Sequence, residues 1–292
     1  MTKPILSIDI GGTHLRFASI DDSGHILKKE TYAHATLSRD DFFKDLDQKI
    51  NQWISAHTCR AVAMALPIVM DEKMGVVYDA PNLPFLRGQN IYQRFSSLKV
   101  PWVLENDANC AALGEAWLGH GKEIDSFCFL TLGTGVGGGL ILNRKLWKGV
   151  RGMACEIGHI KIDFSNQFPC SCGDYGCLEA FASSSALQKR TGITSKDLYE
   201  KAKKEDPEAL ALFKEMGKKL GRGIASVSNL LNIECFILGG RLSGAFPYFY
   251  PSAIDMAKHS SMKGPAEHLE ILQSQLGDDA GMLGAAYRYL IL

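Results

Sequence analysis

Apolar residues in this chain recur with two different periods, and the switches between them mark its elements. Residues 4–31 contain the runs ILSIDI, HLRFASI and HILKKET, broken by GGT and DDSG, which predicts an antiparallel meander of three short strands. Over 40–57 the period becomes helical, with Phe42, Phe43, Leu46, Ile50, Trp53 and Ile54 on one face. RAVAMAL reads as a buried strand, GVVYDA as a shorter one and WVLEN as another, followed by a helix starting at Asp107 in DANCAALGEAWLG. The pattern then restarts. FCFLTL, GTGVGGG and LILNRKLWKG repeat the order strand, glycine turn, strand, turn and strand, and placing Asp9 over Thr131 aligns Gly11 with Gly133. Two such meanders, one in each half, point to a duplicated α/β unit. Downstream, Asp206 and Pro207 supply a cap and a first-turn residue for a long helix. Its apolar stripe is Leu210, Phe213, Met216, Leu220, Ile224, Val227 and Leu231. ECFILGG predicts a strand ending in a glycine turn, and AGMLGAAYRYLIL a closing helix.

Length and composition narrow the class. The 292 residues suffice for two domains with cores of their own, and no stretch reads as a flexible linker, so the domains are expected to pack closely around a cleft. With 32 basic against 32 acidic residues, nothing suggests a nucleic-acid or membrane-surface partner. The N-terminus lacks the apolar run of a signal peptide, and no run of about 18 apolar residues follows. A cytoplasmic location with reduced thiols is the expectation. Five of the eight cysteines (Cys59, Cys110, Cys128, Cys155 and Cys235) stand among apolar neighbours and read as small core residues.

Three glycine turns carry the first candidate chemistry: DIGGT, GTGVGGG and ILGGRLSG, each at the end of an apolar strand. Glycine allows positive φ and close backbone approach, so exposed N–H groups there can cradle phosphate oxygens. A tight hairpin with no ligand is the plain alternative for any one of them. Neither DIGGT nor GTGVGGG continues as a Walker motif or a Rossmann fingerprint. An acid in the first turn, Asp9, can hold Mg²⁺ beside a phosphate chain. As a set, the turns resemble the nucleotide site of the actin-like, ribonuclease-H-like sugar kinases. The resemblance implies a first phosphate loop of Asp9, Gly11, Gly12 and Thr13, and a second of Gly133, Thr134, Gly135 and Gly137. Gly239 and Gly240 would lie against the adenosine of ATP.

Asp107, placed at the start of its predicted helix, reads locally as an N-cap. The same place keeps a carboxylate ionised, able to accept the proton of a sugar hydroxyl as its oxygen attacks the γ-phosphorus. Asn106 beside it can hold a second hydroxyl. With an ATP site on the chain, the base is the better reading.

In EIGHIKIDFSNQFPCSCGDYGCLEA, ten residues separate His159 from Cys170, one separates Cys170 from Cys172, and four lead to Cys177. CxC is neither a comfortable disulfide nor the CxxC of a redox site. One nitrogen and three thiolates suit a closed structural Zn²⁺ site.

EIGH followed by CSCGDYGCLE resembles the signature of the ROK family of sugar kinases and sugar-responsive repressors. The resemblance extends through DIGGTHLR, ENDANCAALGEAWLG, LGTGVGGG, ILGG and GDDAGMLGAA, nearly the whole chain. It implies Glu156, His159 and Glu179 as sugar contacts, with His159 also on zinc, and Asn82 of APNLPF as another. It also implies a duplicated actin-like α/β fold: 1–118 plus 277–292 as a small domain, and 119–276 as a larger one with the zinc loop. The expected activity is an ATP-dependent hexose kinase acting on the 6-hydroxyl, glucose first and N-acetylmannosamine or N-acetylglucosamine next, in a homodimer. A sugar-sensing regulator without its DNA-binding domain is the alternative of another class. One departure stands out: MALPIVMD has Ile68 where many of these kinases have glycine, and this narrows a wall of the sugar pocket.

Overall fold

A computed structural model describes residues 2–34 and 38–292. The chain forms two units, one of residues 1–122, 146–154 and 279–292, the other of 123–145 and 155–278.

The first unit is built on strands β1 (Ile5–Ile10), β2 (His14–Ile20), β3 (Ile26–Ala33), β4 (Ala61–Leu66) and β7 (Trp102–Asn106), in the order β3-β2-β1-β4-β7. β5 (Val69–Asp71) and β6 (Val76–Asp79) form a separate hairpin. The meander β1–β2–β3 is antiparallel, whereas β4 joins β1 and β7 in parallel. AVAMAL is buried at every position, as expected of a parallel strand covered on both faces. The helix Arg39–His57 is capped by Ser38 and buries Phe42, Phe43, Leu46, Ile50 and Trp53, the face its periodicity predicted. The helix Asp107–Leu118 lies against the C-terminal helix Ala280–Leu290. Their backbones approach so closely that a Cβ on Gly114 would collide with the Ala280 carbonyl, and one on Gly284 with that of Cys110.

The second unit repeats the topology. β8 (Phe127–Leu132), β9 (Val136–Leu142), β10 (Lys145–Leu146), β11 (Cys235–Gly239) and β12 (Glu270–Gln273) follow the order β10-β9-β8-β11-β12. The alignment of Asp9 with Thr131 holds in three dimensions. Asp9 pairs with β2 and β4, and Thr131 with the matching β9 and β11. The third strand of this meander shrinks to two residues, because the chain departs after it to join the first unit over 146–154. The helix Pro207–Leu231 is capped by Asp206 and buries Phe213, Met216, Leu220 and Ile224. Leu231 at the end of the stripe is exposed instead, since the helix stops there at Asn232 in the left-handed region. A second long helix, Phe246–Ser260, lies across it; its Pro247 and Pro251 masked the helical period in the sequence. Among the described residues no helix is long and apolar enough to cross a membrane.

Candidate functional site

The end of β1 places Asp9 across from Arg16 on β2, with the guanidinium 3.3 Å from the carboxylate. The first glycine turn follows directly. Gly11 N–H donates to the His14 carbonyl at 2.9 Å, and the His34 ring nitrogen Nε2, 2.8 Å from the Gly11 carbonyl, must be the donor there because a carbonyl can only accept. The His34 backbone N–H also donates to the Thr13 carbonyl at 3.0 Å, so one histidine clamps the turn twice. Asn82 packs on the same turn: a Cβ on Gly12 would stand 3.0 Å from the Asn82 Cβ. Nothing in the sequence pattern singled out Arg16 or His34; the only signal was a charge inside the otherwise alternating strand HLRFASI.

The second turn lies at the end of β8 and is gripped from two sides. The Gly133 carbonyl accepts from Ser184 N–H at 2.8 Å and from the Ser184 hydroxyl at 2.6 Å. Val136 N–H donates to Glu179 Oε2 at 3.0 Å. Positive φ, anticipated for these glycines, is absent at Gly133 and Gly135. What requires glycine at 135 is close approach, since a Cβ there would strike the Glu179 carboxylate. Gly158 of EIGH is needed for the same reason against the Val136 carbonyl. Gly133 has no atom within 4 Å of its Cβ position, which leaves open space over its backbone, and Thr134 is exposed beside it. Gly137 pairs with Thr131, and so does Gly239 from the other side, so the third turn lies next to the second. There Gly240 adopts φ +82°, which only glycine takes easily.

Asp107 is the first residue of its helix and not the cap. Asn106 fills that role: its backbone is extended and its Oδ1 accepts from Ala108 N–H at 2.9 Å and Asn109 N–H at 3.1 Å. Asparagine wins because a residue one place earlier reaches the second and third N–H groups of the turn. Asn106 Nδ2 donates to the Ile68 carbonyl at 3.0 Å, leaving one amide hydrogen for another acceptor. Asp107 Oδ1 accepts from Ala108 N–H at 2.9 Å.

His159, Cys170, Cys172 and Cys177 converge, their ligand atoms all within 4.8 Å of one another. Cys172 and Cys177 sulfurs are 3.8 Å apart, and His159 Nδ1 is 3.5 Å from Cys170 Sγ. Metal–sulfur bonds of about 2.3 Å and metal–nitrogen bonds of about 2.0–2.1 Å at tetrahedral angles give edges of about 3.8 and 3.5 Å. The donor set therefore fits a four-coordinate metal. Lys161 Nζ stands 3.1 Å from Cys177 Sγ. With Nδ1 facing the cluster, His159 retains Nε2 for a second partner. Glu156 is exposed immediately before the single 3₁₀ turn Ile157–His159. Glu179 bridges outward from the cluster: Ser171 donates to its Oε1 while Oε2 holds Val136. The base of the loop is tied to the long helix by Lys219, 2.8 Å from Asp163, whose carboxyl this hydrogen bond holds below the usual range. Cys155, expected in the core, is only half-buried and adopts φ +69°, its sulfur 3.8 Å from that of Cys128.

A profile described as the ROK family matches residues 5–290. A glucokinase of Thermotoga maritima is 30% identical over 306 aligned positions, covering 97% of this chain and 96% of that one. A xylose repressor of Caldicellulosiruptor bescii is 28% identical over 311 positions, covering 96% of this chain and 76% of the repressor. Among solved structures, a ROK family glucokinase from Streptomyces griseus in complex with glucose and AMPPNP superposes with a TM-score of 0.84 at 30% identity, covering 97% of this chain and 98% of that chain.

Proposed function

This chain belongs to the ROK family, and from that premise we propose that it transfers the γ-phosphoryl group of ATP to the 6-hydroxyl of a hexose, glucose first. It is an ATP-dependent sugar kinase with the actin-like two-domain fold. The observation that supports the mechanism best is Asp107 in the first turn of a helix whose cap is supplied by its neighbour Asn106. The partial positive charge of the helix start keeps the Asp107 carboxylate ionised. It accepts the proton of the attacking hydroxyl while the new oxygen–phosphorus bond forms and the bond to the ADP oxygen breaks. Backbone N–H groups of the turns at Gly11–Thr13 and Gly133–Gly135 receive the phosphate oxygens, with Gly239 and Gly240 against the adenosine. The open space over Gly133 suits that role. Mg²⁺ held near Asp9 would neutralise the phosphate charge, and Arg16 is placed to orient the Asp9 carboxylate.

The sugar is assigned to Glu156, His159 through Nε2, Glu179, Asn106 and Asn82. Oε1 of Glu179, which accepts the Ser171 hydroxyl, is suited to accept a sugar hydroxyl in the same way. Zn²⁺ is the metal the three sulfurs and one nitrogen fit, and its part is to hold the loop rather than to react. Ile68 is buried where glycine is usual, and its bulk disfavours an N-acetyl group at C2. Coupled ADP-release assays with ATP and a panel of hexoses test the reading. Glucose should give the highest kcat/KM. A higher value on an N-acetylated hexosamine overturns the ranking alone, and no turnover with any hexose returns the chain to the regulator class.

A further inference from the structure

Glu105 is a buried acid, its side chain 6% exposed, in the strand that delivers Asn106 and Asp107, and the proposed reaction makes no use of it. Its Oε1 accepts from the Asn106 backbone N–H at 3.1 Å and from Asn109 Nδ2 at 3.1 Å. Its Oε2 accepts from Lys148 Nζ at 3.1 Å and from Arg288 Nε at 3.3 Å. One carboxylate thus joins the end of β7, the first turn of the helix Asp107–Leu118, the C-terminal helix and the segment 146–154. Asp107 lies between the two residues that Glu105 Oε1 holds. A buried acid with four donors is tightly located, and breaking one charge pair leaves the rest uncompensated.

Lys148 is the member that can be altered without opening a core. It also ion-pairs with Glu72, while Arg151 lies 2.5 Å from the buried Asp71 and Glu72 N–H donates to the Arg151 carbonyl at 2.8 Å. The space left among Ile68, Met70, Glu105, Asn106 and Lys148 is about 10 Å³, room for no more than one water. We propose that Lys148 is a positioning residue for Asp107, acting through the carboxylate of Glu105. The inference rests on the assignment of Asp107 as the base. Lys148 locates the Glu105 carboxylate, Glu105 locates the Asn106 N–H and the Asn109 side chain, and these set the direction of the intervening carboxylate.

The test uses the full chain as Lys148→Met, Lys148→Arg and Glu105→Gln, with two independent readouts. Lys148→Met should lower kcat by roughly 10- to 100-fold, the effect of a misplacement on the order of 1 Å. KM for ATP should change little, and the loss should persist in kcat per folded molecule, measured well below the thermal midpoint of the variant. Hydrogen exchange at the Ala108 and Asn109 amides should quicken, and Lys148→Arg should restore most of both. Should Lys148→Met fold poorly, Glu105→Gln, which keeps the shape and loses the charge, carries the same comparison. A kcat loss that only follows the folded fraction makes the network structural and overturns the proposal. Unchanged exchange at Ala108 and Asn109 overturns it even if the wild type turns over no hexose, the outcome that removes the kinase reading by itself.

Discussion

The two halves share one sheet order, yet they hold their candidate site residues by different means. In the first unit Glu105, next to Asn106 and Asp107, joins an ion network whose other members sit at positions 72, 148 and 288. In the second, His159 stands in a cluster with Cys170, Cys172 and Cys177, with Glu156 and Glu179 on either side of it in the chain. A charge network is assembled from distant segments, keeps partial solvent access and forms only as the fold forms. A cluster of three thiols and an imidazole is local, its members drawn from one short stretch of chain. The lesson is that a duplicated scaffold leaves open how its loops are made rigid.

The largest effect separates chemistry from scaffolding within the first unit. Asp107→Asn should lower kcat by about 10²–10⁴-fold while sugar binding and thermal stability remain, because Asn106 and not Asp107 caps the helix. A folded variant retaining most of its kcat would remove Asp107 from the reaction. Next comes the cluster. Purified protein should contain one zinc per chain, and Cys177→Ser or prolonged chelation should lower the thermal midpoint of the second unit by several degrees, each kcal/mol being worth about 2–4 °C. Elemental analysis without zinc, on protein whose 159–178 segment still resists proteolysis, would break the comparison.

A smaller effect concerns the open space over the second glycine turn. Gly133→Ala meets no atom within 4 Å, so the midpoint should not move. KM for ATP should rise about tenfold, since a methyl forced against a ligand costs about 1–3 kcal/mol. An unchanged KM would take the phosphates away from this turn. The smallest effect is an acid one. The hydrogen bond from Lys219 keeps the folded-state pKa of Asp163 below its ordinary value of 3.8. A depressed carboxyl contributes stability above its unfolded pKa and loses it as the pH falls through the folded value. The contribution should therefore be intact at neutral pH and fade below about pH 4. Asp163→Asn should lower stability at pH 7 and flatten its loss between pH 4 and pH 2. Parallel pH profiles for variant and wild type would dismiss the pair.

The sequence pattern made much of this legible. Both meanders, the Asp9–Thr131 correspondence, the helix opened at Asp206 and the grouping of His159 with Cys170, Cys172 and Cys177 follow from period and spacing over short stretches. Period also misled at specific places. The prolines of FPYFYPSA hid the helix Phe246–Ser260, and the positive φ anticipated for the glycines at 133 and 135 is absent, Gly135 being required by close approach to Glu179 instead.

Alternation, helical stripes, glycine turns and ligand spacing are properties of neighbouring residues, so the chain alone determined the α/β class, the duplication, the turns and the Cys₃His set. Only the tertiary structure decided that Asn106 takes the cap from Asp107, that Asn82 packs on Gly12, and that Ser184 and Glu179 grip the second turn. It alone returned residues 146–154 to the first unit and brought Lys148 and Arg288 to Glu105. With 32 cations and 32 anions along the chain, the pairing of any two far apart is set by where the packed core carries them, and no local period records that distance.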